Sequence, residues 1–162
     1  MSTRARLRAF QITHRDGVSE AFKVDLDLLR HKDLDLSVRL GALLAFDALL
    51  INTGVNPIAA SPGAPLSLDA ATMPWETLAT VAGIMLVAVS AAITVRAITY
   101  GEEFSDEGIE VNPDAITRRL FVAFCVSVDA QTVLLKRATW YTLAGGGVIG
   151  LTFVWILLGK IF

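Results

Sequence analysis

Asp47 is the residue of this sequence best placed to do chemistry. It stands in the run Leu43-Leu44-Ala45-Phe46-Asp47-Ala48-Leu49-Leu50-Ile51. An ionisable side chain inside a long apolar stretch marks either a site of function or an interhelical hydrogen bond, because hydrocarbon offers it no partner. A carboxyl group in that position can relay a proton, bind a cation or fix one helix against another. Arg39, eight residues earlier and on roughly the same helix face, is one prospective partner. The hydroxyls of Ser90, Thr94 and Thr152 are others. Asn52 is a further polar residue of the same stretch. Interhelical hydrogen bonding is the first expectation for Asp47. Proton or ion handling and contact with another subunit are the alternatives.

The remaining reactive residues carry less. The acidic run Glu102, Glu103, Asp106, Glu107 and Glu110 lacks the spacing of a calcium-binding loop and reads as solvated chain. His14 and His31 are far apart and without companions, so no metal site is expected. The single cysteine, Cys125, lies in an apolar run and reads as a small buried hydrophobe. No glycine-rich phosphate loop, nucleophile elbow or metalloprotease motif is present. The expectation is a non-enzymatic protein that needs no cofactor. Its basic residues lie among acids and lack stacking aromatics, which argues against nucleic acid as a partner.

What positions Asp47 is an all-α chain built for lipid. Of 162 residues 54% are apolar, and the charges avoid three stretches almost completely. The mean hydropathy of +0.57 is high for a water-soluble domain. A bilayer crossing takes about twenty residues at about 1.5 Å each. Residues 36–55, 77–98 and 140–158 meet that length, so three transmembrane helices are expected. The first is the most polar, with Arg39, Asp47 and Asn52. An aspartate at midspan costs about 2.5–3.5 kcal/mol, which six or so leucines at about −0.5 kcal/mol each offset.

Positive charge sets the orientation. Arg4, Arg6, Arg8, Arg15, Lys23, Arg30 and Lys32 precede the first span. Residues 52–76 contain no lysine or arginine, whereas Arg118, Arg119, Lys136 and Arg137 lie between the second and third spans. The positive-inside rule therefore puts residues 1–35 and 99–139 in the cytoplasm. The loop 56–76 and the tail 159–162 fall on the other side. The resulting protein is a multi-pass component of a bacterial inner membrane, N-terminus in and C-terminus out. Trp75 and Trp140 fall at the expected interfaces. The basic first ten residues are followed by no apolar core, so no secretory signal is expected.

Outside the spans, helix is expected from about Ser19, a capping residue, with Phe22, Leu26 and Leu29 on one face. This helix can run straight into the first span. A second helix starts at Asn112-Pro113-Asp114, with a cap, a proline at the first helical position and an acid near the dipole. It is expected to end near the basic pair Lys136-Arg137 and to lie at the membrane surface as an amphipathic helix. The loop between the first two spans, rich in Pro, Ala, Gly and Ser, reads as extended and weakly structured.

Small residues recur at a spacing that lets helices approach closely. Gly41 and Ala45 do so in the first span, Ala88 and Ala92 in the second, and Gly146 and Gly150 in the third. They serve either packing between spans of one chain or association with another copy or another membrane protein.

The layout resembles the small transmembrane effectors of bacterial pyrimidine-cyclase antiphage (Pycsar) systems. The resemblance rests on His31-Lys32-Asp33-Leu34-Asp35-Leu36-Ser37 with Gly41-Ala42-Leu43-Leu44, and on Leu134-Leu135-Lys136-Arg137-Ala138. In that family a charged helix leads into the first span, and a second helix ends in basic residues just before the last span. Asp35 stands where the family has a lysine. The resemblance implies a non-enzymatic protein that self-associates and impairs the membrane when a cyclic nucleotide signal arrives. The other readings are an accessory or assembly subunit of a larger membrane complex, and a proton or ion pathway around Asp47.

Overall fold

The computed structural model describes residues 20–61, 64, 67–99 and 113–161, and among them all regular structure is helical. Helix α1 is Glu20–Ala59, α2 is Pro74–Thr99 and α3 is Pro113–Ile161. Ser19, His14, Asn112 and the acidic run 102–110 lie outside the described residues.

Each helix follows from its sequence. Residues 20–40 contain no glycine or proline, so α1 passes without a break through the join at residues 35 and 36. It also continues past residue 55 to Ala59, despite Pro57. Having no N–H, Pro57 forgoes the one helical hydrogen bond to the Thr53 carbonyl, and the helix goes on past it for two residues. The Pro57 carbonyl oxygen accepts a hydrogen bond from the Leu68 N–H at 2.9 Å. Helix α2 opens on Pro74, whose missing N–H is no loss at the first position, with Glu76 in the first turn and Arg96 in the last.

Two expectations are corrected. The helix that starts at Pro113 does not stop at Arg137; it runs on as α3 through the third apolar stretch. Ala138-Thr139-Trp140 contains no breaker. The dipole preference of a basic pair, about 0.3–1 kcal/mol, does not outweigh the backbone hydrogen bonds of a helix that meets no breaker. The loop before α2 is also more ordered than its composition suggested. The Asp69 side chain accepts a hydrogen bond from the Ala71 N–H at 3.0 Å, its carbonyl oxygen accepts from Met73 N–H at 2.8 Å, and Leu68 is buried.

The buried residues of α2 and of the second half of α3 recur at alternating intervals of three and four, and those of α1 at steps of three, four or seven, the spacing of helices that share a seam. On α2 they are Thr80, Gly83, Val87, Ser90, Thr94 and Ala97. On the second half of α3 they are Ala138, Thr142, Gly145, Ile149, Thr152 and Ile156. On α1 they are Leu29, Leu36, Leu40, Asp47, Gly54 and Pro57. Asp47 therefore occupies a seam position, with no exposed surface.

The chain divides into two compact units. Among the described residues, one unit draws on 20–40, 96–99 and 113–134, where Leu29, Phe121 and Cys125 form a small buried cluster with Leu26 against it. The other comprises Gly41–Val95 and Leu135–Phe162, a three-helix bundle of the C-terminal halves of α1 and α3 with α2.

Helix α2 and the stretch Phe121–Gly159 of α3 are long and apolar enough to cross a membrane. Only 28% of each apolar window is buried, unlike a core helix of a water-soluble domain, which hides most of its surface. Leu78, Met85, Leu143, Leu151 and Trp155 are among the large apolar side chains left facing outward.

Candidate functional site

The polar residues of the second unit converge on one point. Thr142 of α3 donates its hydroxyl to Asp47 Oδ1 of α1 at 2.7 Å. The Thr142 Oγ1 also lies 2.7 Å from Ser90 Oγ of α2. Ser90 donates to the carbonyl oxygen of Ala138 at 2.9 Å, and Thr142 reaches the same carbonyl at 3.2 Å. The link thus passes through all three helices: Asp47, Thr142, Ser90 and the α3 backbone. Asp47 and Ser90 have no exposed surface, and Thr142 is 3% exposed. The second carboxylate oxygen, Asp47 Oδ2, is buried and has no hydrogen-bond partner.

The geometry makes the choice among the prospective partners of Asp47. Arg39 is not one of them: it pairs with Asp35 on its own helix, Nη2 to Oδ2 at 2.9 Å and Nε to Oδ1 at 3.1 Å, with both side chains exposed. One helical turn separates that pair, which is closer to Arg39 than the eight-residue step to Asp47 allows. Thr94 donates to the carbonyl oxygen of Ser90, and Thr152 to that of Val148, each one turn back on its own helix. Ser90 reaches Asp47 through Thr142. Asn52 is exposed.

Thr142 was missed by the sequence reasoning, although a signal for it existed. Counted from the basic residue at the same end of each helix, Asp47 is eight residues beyond Arg39, Thr142 five beyond Arg137 and Ser90 six before Arg96. At about 1.5 Å per residue these three lie within about 5 Å of one another in depth.

The glycines that hold the bundle together are also not those flagged by spacing. Gly83 and Gly145 bring α2 and α3 into backbone contact, and Gly54 lies against Ile84 and Ile149. A Cβ on Gly41 or Gly150 would meet nothing within 4 Å, and Ala45, Ala88 and Ala92 are exposed. A Cβ on Gly146 would stand 3.1 Å from the Leu50 side chain, so Gly146 is the one flagged residue that packs within the chain. The seam takes every third or fourth residue, so a small-xxx-small pair one step out of its register points outward.

Among the described residues no group of three or more His, Cys, Asp and Glu side chains could hold a metal ion. His31 Nδ1 lies 2.9 Å from the carbonyl oxygen of Asp27 at an exposed position. Together the fold and site define a helical chain with two membrane-length apolar helices and a buried polar cluster between them. Comparison with family models, curated proteins and solved structures finds no match.

Proposed function

We propose that this is a three-span membrane protein, N-terminus in the cytoplasm and C-terminus outside, that works without catalysis by lateral association of copies of itself. The observation that carries the reading is the division of labour among small residues. The bundle packs through Gly54, Gly83 and Gly145, while Gly41, Gly147 and Gly150 have open space around them. Outward-facing glycine gains nothing from lipid and costs helix propensity, about 1 kcal/mol relative to alanine. Close approach of a second helix is the use that offsets this cost.

The first span is the second half of α1, with Arg39 exposed at its entry and Asp47, its midspan ionisable residue, inside the bundle rather than toward lipid. Trp75, Trp140 and Trp155 are each at least 67% exposed, as suits tryptophans at the two membrane–water interfaces. By resemblance, the association is the membrane-impairing act of an antiphage effector answering a cyclic nucleotide. The test is the oligomeric state of the full chain in lipid nanodiscs, by cross-linking, for the parent and for Gly150→Leu. Loss of the cross-linked dimer in the variant supports the reading, and a parent that is monomeric at every lipid dilution removes it.

A further inference from the structure

The cluster around Asp47 is short of one positive charge. Three oxygen–oxygen contacts, of 2.7, 2.7 and 2.9 Å, join Asp47 to Thr142, Thr142 to Ser90 and Ser90 to the Ala138 carbonyl. Each such contact needs a hydrogen between its oxygens. The two hydroxyls bring two. Asp47 Oδ2, buried beside this chain of contacts, receives nothing.

Among the described residues no cationic side chain supplies the missing charge. On α1 the nearest base in sequence, Arg39, is exposed and occupied by Asp35. Among the residues whose side chains are described, the charged groups on α2 are Glu76 and Arg96 and those on the second half of α3 are Lys136 and Arg137, with Tyr141 a further titratable group; Lys160, in the last turn of α3, lies outside them. Arg96, Lys136, Arg137 and Tyr141 are exposed and Glu76 is half-buried, and none is bonded to Asp47. The groups that face the carboxyl from α2 and α3 are hydroxyls and a carbonyl. A carboxylate held this way, with one hydrogen bond and no counter-charge, is among the costliest groups to bury.

We propose that Asp47, Thr142 and Ser90 form a binding site for one small monovalent cation, a proton or an alkali-metal ion, taken up from solution. The site holds the ligand chemistry for either source: a carboxylate with a free oxygen, two hydroxyls and a backbone carbonyl, all hard oxygen donors. A proton fits the distances as they stand. It sits on the carboxyl group, which then donates to Thr142, Thr142 to Ser90 and Ser90 to the Ala138 carbonyl, so that each of the three contacts holds one hydrogen. An alkali ion requires the Asp47–Thr142 contact to open around it. The site is independent of lateral association, because every residue in it lies within one bundle of one chain.

Infrared difference spectroscopy of the full chain in phosphatidylcholine liposomes tests this. Aspartate is isotope-labelled and the buffer is choline, sodium or potassium chloride at neutral pH. A proton in the site gives the carbonyl stretch of an un-ionised acid, indifferent to the salt. That band is lost in Asp47→Asn and displaced in Thr142→Val, which removes the hydroxyl partner. An alkali ion in the site gives a carboxylate band in choline that shifts when sodium or potassium is added, and that shift is absent in Thr142→Val. The absence of both signals, with no un-ionised-acid band in any salt and no carboxylate shift that Thr142→Val removes, overturns the proposal. Should Asp47→Asn fail to assemble, the isotope label and Thr142→Val still make the assignment.

Discussion

A Cβ placed on Gly145 would stand 2.7 Å from the carbonyl oxygen of Gly83 and 3.0 Å from the Val87 backbone nitrogen. Both neighbours are backbone, so neither can rotate away. The two helices touch here because neither glycine carries a side chain, the close approach that small residues allow. Gly145→Ala must push α2 and α3 apart. The expected cost is about 1–3 kcal/mol, the range for overpacked sites, read as a lower thermal midpoint in detergent. Gly83→Ala, with Ile149 Cγ1 at 2.8 Å and the Gly145 carbonyl at 3.0 Å, should behave alike. A midpoint unchanged in both variants would contradict the close approach.

Gly150 offers the opposite case five residues on. Nothing lies within 4 Å of its Cβ direction, and neighbouring Leu151 is 73% exposed. Gly150→Ala should leave the fold intact and raise helix stability by up to about 1 kcal/mol. Gly150→Leu should fold equally well but lose cross-linking between copies. Gly147→Leu, also open, should do the same. Gly146 is unsuited to this test because its own chain's Leu50 sits against it. If both leucine variants cross-link like the parent, these glycines face lipid and not a partner.

Orientation can be read from labelling. With Cys125 replaced by alanine, a cysteine at the exposed Ala70 in the turn before α2 should react with an impermeant maleimide on intact cells. A cysteine at the exposed His31 on α1 should react only after lysis. The expectation rests on the empty lysine and arginine count of residues 52–76. The reverse pattern would overturn the N-in, C-out topology.

The helices were legible in the sequence because long apolar runs and proline-led starts are local signals. Pro74 and Pro113 each open a helix, and the apolar runs at 77–98 and 140–158 lie wholly within α2 and α3. The ends were less legible. Whether a helix stops at Arg137 or continues depends on what surrounds Ala138, and that residue is fully buried by its neighbours. Asp47 was identified from its setting alone, since a charge in an apolar run is visible in one dimension. Its partner was not, because Thr142 lies ninety-five residues away and threonines in helices most often bond their own backbone. Gly54 and Gly83, which pack within the bundle, were not legible for the same kind of reason. A four-residue spacing tells which residues share a face, but the face turned inward is set by the seam of the whole bundle.

The hydrogen bond between Asp47 and Thr142 carries the last prediction, a double-mutant cycle. Asp47→Leu removes the carboxyl group and Thr142→Val removes the hydroxyl while keeping the side-chain shape. Hydrogen bonds between membrane helices couple by about 0.6 kcal/mol on average and about 1.7 at most. The coupling here should fall in that range, measured as unfolding in mixed micelles, because the contact is 2.7 Å long and buried. Asp47→Asn keeps both an acceptor and a donor toward Thr142 and needs no counter-charge, so its fold should be at least as stable as the parent's. Thr142→Val alone leaves Ser90 the Ala138 carbonyl to bond but strips Asp47 of its one hydrogen bond, so it should cost about 1–3 kcal/mol. Arg39→Ala serves as the control: its partner Asp35 is exposed and one turn away, so the loss should be no more than about 0.5 kcal/mol and should show no coupling to Asp47. Zero coupling between Asp47 and Thr142, or strong coupling between Asp47 and Arg39, would mean that the carboxyl group turns toward the basic end of α1 instead of into the bundle.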